Sequence, residues 1–334
     1  MNRKPSRIRH GRRTLIAGMA AVLTGALTLS ASQALAQTDS WPSRPIQLIV
    51  PFPPGATADA FARTVGPHLS AALGQQVIID NRQGAAGAIG SAQVAKAAPD
   101  GHTLLVTFAT HYSLPFLHRS VPYDPVADFT PIIAAAKIHT VLAVHPSHPA
   151  SNLEEFIAHA KAAPDSVLYG SGGLLLFGEL LAQAADVSMT EVPYKGGSMM
   201  LTDLLGGQID TGLSILSSVI PHAREDRLRA IAVLSDQRAA AAPDIPAVTE
   251  AVPAFEAQDN WVGVLGPAGL DPRITERVHA EIQRILAMPD VRQRMTDLGF
   301  EVTGDLSPAE LQTSVKESVQ TYRRITANAG IVPQ

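Results

Sequence analysis

The chain contains no cysteine, which excludes disulfides, thiolate metal sites and a lipoprotein anchor. It also lacks common catalytic signatures, since no Gly-x-Ser-x-Gly, His-Glu-x-x-His or phosphate-loop lysine motif is present. Gly84, Gly87 and Gly90 have the wrong spacing for a dinucleotide fingerprint, and His145 and His148 have no further ligand cluster beside them. These absences predict a protein with no catalytic residue, no cofactor and no metal.

Residues 1–36 have the pattern of a cleaved export signal. Six basic residues and no acidic one precede an apolar stretch at 15–29, and residues 34–36 supply small side chains for cleavage. The stretch is shorter than the roughly 20 residues that span a bilayer. Arg12-Arg13 resembles a twin-arginine signal, and a Sec signal with paired arginines is the alternative. Either route predicts export to the periplasm.

Removal of this leader changes the net charge from −4 to about −10. Such a balance disfavours nucleic acid and anionic membrane surfaces as partners. It does not exclude an anionic ligand, because a local helix dipole can override a weak, screened global field.

A strand, a rigid loop and a helix start follow one another in residues 46–59, IQLIVPFPPGATAD. The β-branched run predicts a buried strand, and the prolines with Gly55 exclude regular structure after it. Thr57 and Asp59 then open a helical pattern. The first amides of a helix lack intrahelical partners and attract carboxylates and phosphates, so this loop is predicted to hold an anion.

Strand and helix signals alternate along the chain, which predicts the α/β class with mostly parallel sheets covered by helices. The mature length of 298 residues suits two domains. Ser151 and Glu154 form a predicted capping box, and Asp271-Pro272 and Ser307-Pro308 predict two C-terminal helix starts. The predicted strands are 77–80, 103–108, 167–169, 191–194, 209–213 and 228–234, with one or two more within 130–144.

Eight segments, in this order, resemble the periplasmic substrate-binding receptors of tripartite tricarboxylate transporters. They are PFPPG (51–55), NRQGAAG (81–87), APDGHTLL (98–105), PYDP (122–125), VPYKGG (192–197), DLLGGQID (203–210), LRAIAV (228–233) and GPAG (266–269). Each segment alone is weak, but together they extend over essentially the whole mature chain.

The resemblance implies an α/β, two-domain periplasmic binding protein fold of type II-like architecture, with a hinge and a cleft between the domains. Residues 37–137 with 255–334 would form domain 1, and residues 138–254 would form domain 2. The ligand would be a small organic carboxylate held largely by backbone amides and waters. A monomeric receptor would deliver it to the permease subunits of a tripartite transporter.

The family's first ligand loop corresponds to residues 53–59, where Ala56 and Ala58 replace the usual glycine and threonine. Its aromatic residue would wall the ligand, its backbone would offer amides, and its aspartate would orient the loop or a water. The alternative is a plain strand-to-helix connection. The residues expected to bind are Phe52, Pro54, Gly55, Ala56, Thr57 and Asp59.

Further predicted ligand-binding residues follow other strands, where ligands of open α/β sheets sit. Thr110 and His111 would donate to a carboxylate, unless His111 is merely exposed in a polar loop. Lys195 is a candidate cationic partner, or else a solvated lysine. The remaining candidates are the glycine-rich turn Ser171, Gly172 and Gly173, together with Tyr194 and Ser214.

The glycine-rich turn departs from the family, because residues 174–177 read Leu-Leu-Leu-Phe where hydroxyl residues are usual. Either these side chains form the core face of a helix, or they make one end of the cleft apolar. The second interpretation favours a carboxylate with an aromatic or aliphatic body. Two other functions stay open, namely a sensory adaptor of the same fold and a periplasmic enzyme.

Overall fold

The structure, a computed structural model, describes residues 41–164, 166–194, 196–258 and 260–333. The predicted export signal therefore lies outside the described residues. Within the described part of the chain, no helix is both long and apolar enough to cross a bilayer.

The described chain alternates strands and helices, as predicted. The strands are β1 (Ile46–Val50), β2 (Val77–Asn81), β3 (Thr103–Phe108), β4 (Phe129–Ile138), β5 (Thr140–Val144), β6 (Leu168–Gly170), β7 (Thr190–Val192), β8 (Thr211–Ile215), β9 (Arg229–Val233), β10 (Trp261–Pro267) and β11 (Phe300–Val302). The helices are α1 (Thr57–Leu73), α2 (Ala88–Ala95), α3 (Leu114–Leu117), α4 (Leu153–Ala162), α5 (Leu175–Ala185), α6 (Gly197–Leu205), α7 (Leu216–Arg224), α8 (Pro272–Leu286), α9 (Pro289–Asp297) and α10 (Pro308–Asn328). Short 3₁₀ turns lie at Ala85–Gly87, Ala109–Ser113 and Val248–Glu250.

The strands form two mixed sheets. The first sheet has the order β11-β4-β10-β3-β1-β2, and the second has the order β7-β6-β8-β5-β9. Parallel pairing joins β1 to β2 and β3, and β6 to β7 and β8. The pairs made by β4, β5, β10 and β11 are antiparallel. The α/β class is confirmed, while parallel pairing is limited to these two groups of strands.

The chain crosses between the two sheets at His139. Ile138 still belongs to the first sheet, where its amide donates to the carbonyl of Asn260 at 2.8 Å. The next two carbonyls, of His139 and Thr140, accept from the amides of Leu216 and Leu234 beside the second sheet, both at 2.8 Å. The apolar stretch 130–144 is thus two strands in different sheets. The division into domains at residues 138 and 254 stays a prediction.

One helix start lies a residue later than predicted. The N-cap of α4 is Asn152, whose side chain accepts from the amide of Glu155 at 2.9 Å. The carboxylate of Glu155, and not that of Glu154, accepts from the amide of Ser151 at 2.8 Å. This register allows α4 to bury Leu153 and Phe156 on one face. The predicted starts at Asp271 and Ser307 are confirmed as N-caps.

Two strands in the last third of the chain were not predicted from the sequence. β10 is buried along its whole length between β3 and β4, and β11 adds a short antiparallel strand to the edge at β4. The helices α8 and α10 pack against β4 of the first sheet. The C-terminal helices therefore return to the first sheet, as expected.

The leucine run after the glycine-rich turn contributes to the core. Leu176 and Phe177 of α5 are buried in the same apolar cluster as Val315 and Ile325 of α10. The side chain of Gln183 in α5 also donates to the carbonyl of Ile325 at 3.2 Å. The interpretation as the core face of a helix therefore accounts for Leu176 and Phe177.

Candidate functional site

The first loop ends in the N-terminus of a long helix. Helix α1 begins at Thr57, and its first intrahelical hydrogen bond runs from the amide of Ala60 to the carbonyl of Ala56 at 2.9 Å. The amides of Thr57, Ala58 and Asp59 precede that bond. Ala58 and Asp59 are buried, so Thr57 is the residue of the three with exposed surface at this helix end, where the aligned peptide dipoles favour negative charge.

The loop before this helix is held by the carboxylate of Asp59. Its two oxygens accept from the amide of Gly55 at 2.8 Å, from Arg63 Nε at 2.8 Å and from Asn81 Nδ2 at 3.0 Å. Asp59 is 1% exposed. Burial acts to raise its pKa, but the hydrogen bonds from Arg63, Gly55 and Asn81 together hold the pKa below its ordinary value. Asp59 is thus an ionised residue that shapes the loop.

These bonds also decide which loop amides can meet a ligand. The amide of Gly55 is used by Asp59, and the amide of Ala56 donates to the carbonyl of Pro53 at 3.1 Å. Gly55 has φ +82°, a left-handed conformation that suits glycine. The first amide of this segment that is left for an anion is therefore that of Thr57, and not those of Gly55 and Ala56.

Two aromatic rings stand beside this loop. The rings of Phe52 and Phe108 have centroids 4.8 Å apart and are tilted by 49°. Gly87, just before α2, packs on the same ring, since a Cβ there would lie 3.6 Å from Phe52. Phe52 is half-buried and Pro54 is exposed, so the predicted aromatic wall lies at the carboxyl end of β3.

The two ligand-binding residues predicted in the loop after β3 differ in their burial. Thr110 is half-buried, whereas His111 is 2% exposed, so the interpretation of His111 as an exposed loop residue is wrong. The His111 ring stacks on Tyr123 at 5.3 Å, and its Nδ1 lies 3.4 Å from Ser91 Oγ. Burial lowers the pKa of His111 to about 3. His111 is therefore a neutral residue packed beneath the loop.

The glycine-rich turn of the second sheet contacts the start of α6. A Cβ on Gly172, which has φ +53°, would lie 2.6 Å from the Cα of Gly197. Ser171 is buried and its hydroxyl donates to the carboxylate of Glu191. Gly173 is exposed at φ +103°. The turn and the segment that contains Tyr194 therefore form one surface.

The other candidates of the second sheet lie at strand ends. Tyr194 donates its hydroxyl proton to Asp203 Oδ2 at 2.9 Å. Ser214 is buried near the end of β8 and pairs in register with Val141. Lys195 lies outside the described residues.

Strand pairing places the ends of β3, in the first sheet, and β8, in the second, beside the segment at His139 that joins the sheets. Phe108, the last residue of β3, pairs with Val262 near the start of β10. Ile215, the last residue of β8, pairs with Thr140 at the start of β5. The amide of Ile138 also donates to the carbonyl of Asn260, just before β10. The carboxyl ends of β3 and β8 therefore lie on either side of the segment that joins the two sheets.

A small pocket of about 60 Å³, not predicted from the sequence, lies at this crossing. Its lining includes His139, whose Nε2 lies 2.8 Å from Glu301 Oε2, together with Phe177 and Asn260. The side-chain oxygen of Asn260 is buried and has no hydrogen-bond partner among the described residues. No group of three or more His, Asp or Glu residues in the described ranges could hold a metal ion.

Two residues that shape the first loop were also missed. Arg63 lies four residues after Asp59, a helical spacing that could have revealed the ion pair. Asn81 lies at the end of β2 and donates to both Asp59 and the carbonyl of Phe52. The pairing of β1 with β2 brings it there, so the family-like segment at residues 81–87 marks its position but not its contact with Asp59.

Comparisons with known proteins agree with this geometry. A sequence model of the tripartite tricarboxylate transporter family receptor matches residues 61–331. A UPF0065 protein in the tcbD-tcbE intergenic region of Pseudomonas sp. (strain P51) is 35% identical, over 94% of each chain. The protein BugT of Bordetella pertussis is 34% identical, over 87% of this chain and 91% of its own.

Solved structures give the same result. The periplasmic binding protein BugD matches with a TM-score of 0.76 and 30% identity, over 88% of this chain and 100% of its own. R. palustris Rpa4515 with adipate matches with a TM-score of 0.79 and 31% identity, over 88% of this chain and 100% of its own. MatC from Rhodopseudomonas palustris with bound malate matches with a TM-score of 0.75 and 30% identity, over 86% of this chain and 100% of its own. The periplasmic-binding-protein fold is confirmed, and the chain belongs to the tripartite tricarboxylate transporter receptor family.

Proposed function

We propose that this chain is a periplasmic solute receptor. It binds a small organic carboxylate between its two sheets and delivers it to the permease subunits of a tripartite transporter. The observation that carries the proposal is the start of α1, where Asp59 fixes the preceding loop and the partly exposed Thr57 has an amide that precedes the first intrahelical bond. A helix end of this kind binds a carboxylate without a cationic side chain.

The class of ligand is supported by two relatives. Rpa4515 is described with adipate and MatC with bound malate, and both ligands are carboxylates. The described residues of the first loop also offer amides and an aromatic wall, which suits a small organic acid with an apolar body. The ligand of this chain is therefore sought among small carboxylates.

The cleft and its hinge are supported by the crossing at His139. Strand ends of both sheets flank that segment, and one residue separates β4 from β5. We assign residues 37–137 with 255–334 to domain 1 and residues 138–254 to domain 2. A ligand that touches both domains shifts the population toward a closed form. Export to the periplasm, a monomeric state and the absence of turnover belong to the same proposal.

The test is a thermal-shift screen of the mature protein against succinate, malate, adipate, citrate and benzoate. Gly55→Val is expected to abolish the ligand-induced rise in Tm, because valine at a positive φ distorts the loop. Gly269→Val is the matched control, since Gly269 also has positive φ and no atom within 4 Å of an added Cβ. Its ligand response is expected to equal that of the natural chain.

Turnover is followed in the same samples by mass spectrometry. Stabilisation without conversion of the carboxylate supports the receptor, and conversion supports an enzyme. A ligand response that survives Gly55→Val would count against the first loop. No response to any carboxylate would count against the proposed class of ligand.

A further inference from the structure

The two sheets also meet through a glycine close to the crossing at His139. Gly299 lies in the turn between α9 and β11, and it packs on Ser217 in the first turn of α7. A Cβ added to Gly299 would lie 2.0 Å from Ser217 Cβ and 2.9 Å from its Oγ. The Cα of Gly299 is therefore within about 3.5 Å of Ser217 Cβ, at the short end of carbon–carbon contacts. No methyl group fits between the turn and the helix.

This contact joins elements that belong to different sheets. Gly299 precedes β11, whose first residue pairs with the last residue of β4 in the first sheet. Ser217 follows Leu216, whose amide donates to the carbonyl of His139 at 2.8 Å. Helix α7 itself continues from β8 of the second sheet. The contact therefore lies beside the crossing, in the angle between the two sheets.

The turn that carries Gly299 is fixed to the first sheet. Gly299 has φ +77°, and its amide donates to the carbonyl of Thr296 at 2.9 Å, so it ends α9 in the left-handed conformation that suits glycine. The next residue, Phe300, is 4% exposed. Its ring lies edge-on to that of Phe61 in α1, with centroids 6.2 Å apart. A shift of the turn alone would disturb this packing.

The start of α7 is fixed to the second sheet in a similar way. Leu216 and Val219 are buried in one apolar cluster with Val141 of β5 and Leu204 of α6. Ser217 lies between the two buried residues of its own helix. A force on Ser217 is therefore passed to the second sheet, and does not end in a local movement of the helix.

We propose that Gly299 and Ser217 form a steric stop for the hinge between the two sheets. A rotation that brings β11 closer to α7 is blocked at this contact, and only the opposite rotation separates the two residues. The arrangement described here is thus one end of the hinge motion. The inference rests on the hinge of the proposed receptor function, and it adds the residues that set the end of its range.

The test is a distance measurement between two spin labels, by pulsed electron paramagnetic resonance on the mature protein without ligand. The chain has no cysteine of its own, so Ala71→Cys in α1 and Gln208→Cys before β8 carry the labels alone. Both positions are exposed. Ala71 is near the end of the 17-residue α1, about 20 Å from the helix start. Gln208 precedes the end of β8 that is farther from the crossing.

Gly299→Ala is expected to act as a wedge. The added Cβ must move from 2.0 Å to an ordinary contact of about 3.5 Å from Ser217 Cβ. Because the labels lie farther from the crossing than this contact, the most populated label distance is expected to shift by about 2 Å or more.

Two changes at Ser217 examine the same contact from the other side. Ser217→Val enlarges the partner, so it is expected to shift the label distance in the same direction as Gly299→Ala. Ser217→Gly, made in the Gly299→Ala chain, removes the Cβ that the new methyl group meets. It is expected to return the label distance toward that of the natural chain.

Gly269→Ala is the matched control. Gly269 has φ +76° and no atom within 4 Å of an added Cβ, so alanine there has a similar backbone cost without a contact. Its label distance is expected to equal that of the natural chain. Unchanged distances in both wedge variants, or a shift in Gly299→Ala that Ser217→Gly does not reverse, would overturn the inference. Unfolding of Gly299→Ala alone would also overturn it, because a hinge that is free to rotate relieves the clash.

The result is independent of the carboxylate screen. Shifted label distances without a response to any carboxylate keep the stop and remove the proposed ligand class. A carboxylate response with unshifted label distances keeps the receptor and removes the stop.

Discussion

The amide of Gly55 donates to Asp59 Oδ2 at 2.8 Å, across the start of α1. The bond joins the last turn of the proline-rich loop to the first turn of the helix. Arg63 and Asn81 complete the environment of the same carboxylate. One buried aspartate therefore determines how the helix end is presented, and its removal is the most informative change at the first loop.

Asp59→Ala is expected to lower the free energy of unfolding by about 2–3 kcal/mol, because it leaves the amides of Gly55 and Asn81 without their charged acceptor. Urea denaturation at pH 7 measures the change. Glu281→Ala removes the half-buried partner of the exposed Arg284 and is expected to cost less than about 1 kcal/mol. Equal losses in the two variants would contradict the assignment of Asp59 as the residue that holds the loop.

His111 gives the protein a predictable dependence on pH. Its pKa falls from 6.5 to about 3 on folding, because burial penalises the charged imidazolium. The unfolded chain therefore binds a proton that the folded chain does not, in the window between pH 6.5 and pH 3. As the pH is lowered through that window, the free energy of unfolding decreases by about 1.4 kcal/mol per pH unit.

Replacement of His111 by Asn is expected to remove this dependence. Between pH 7.5 and pH 4.5, the natural chain is expected to lose about 2–3 kcal/mol more than His111→Asn. His118→Asn, at an exposed position, serves as the control and is expected to follow the natural chain. If the free energy of unfolding depends on pH in the same way in the natural chain and in His111→Asn, the assignment of His111 as a buried, neutral imidazole is contradicted.

Contact between the glycine-rich turn and α6 is tested at Gly172. An added Cβ would meet the Cα of Gly197 at 2.6 Å, so Gly172→Ala must push the two segments apart. We expect at least tenfold weaker ligand binding, because the second-sheet surface loses its shape. Gly196→Ala is the control, since its extended backbone accepts alanine and no atom lies within 4 Å. Titration calorimetry with the best ligand of the screen compares the two, and equal affinities would contradict this contact.

The parts of the fold that sequence predicted are those with local signals. Strands β1 and β3 are buried apolar runs, and Asp271 and Ser307 cap helices with their own side chains. β10 was missed because its Gly263 and Gly266 interrupt the apolar pattern, although the strand is central and buried. Its place in the sheet is set by pairing with β3 and β4, which no local pattern encodes.

The candidate site was predictable in position more than in chemistry. The proline-rich loop and the glycine-rich turn carry strong signals, because few residues can follow a buried strand in that way. The hydrogen-bond acceptor of each hydroxyl group could not be predicted from the sequence. Ser171 has the composition of a ligand donor, but its proton goes to Glu191, which lies 20 residues away on β7. Long-range partners of this kind require the fold.

The most direct test of the account is an amide NMR titration of the mature protein with the carboxylate that raises Tm most in the screen. We predict the largest downfield proton shift at the amide of Thr57, which lies at the partly exposed start of α1 and precedes its first intrahelical bond. The amides of Gly55 and Ala56 are already bonded within the loop and are expected to shift less. Saturable binding that leaves the amide signal of Thr57 unshifted would contradict the claim that the main chain of this helix end holds the ligand.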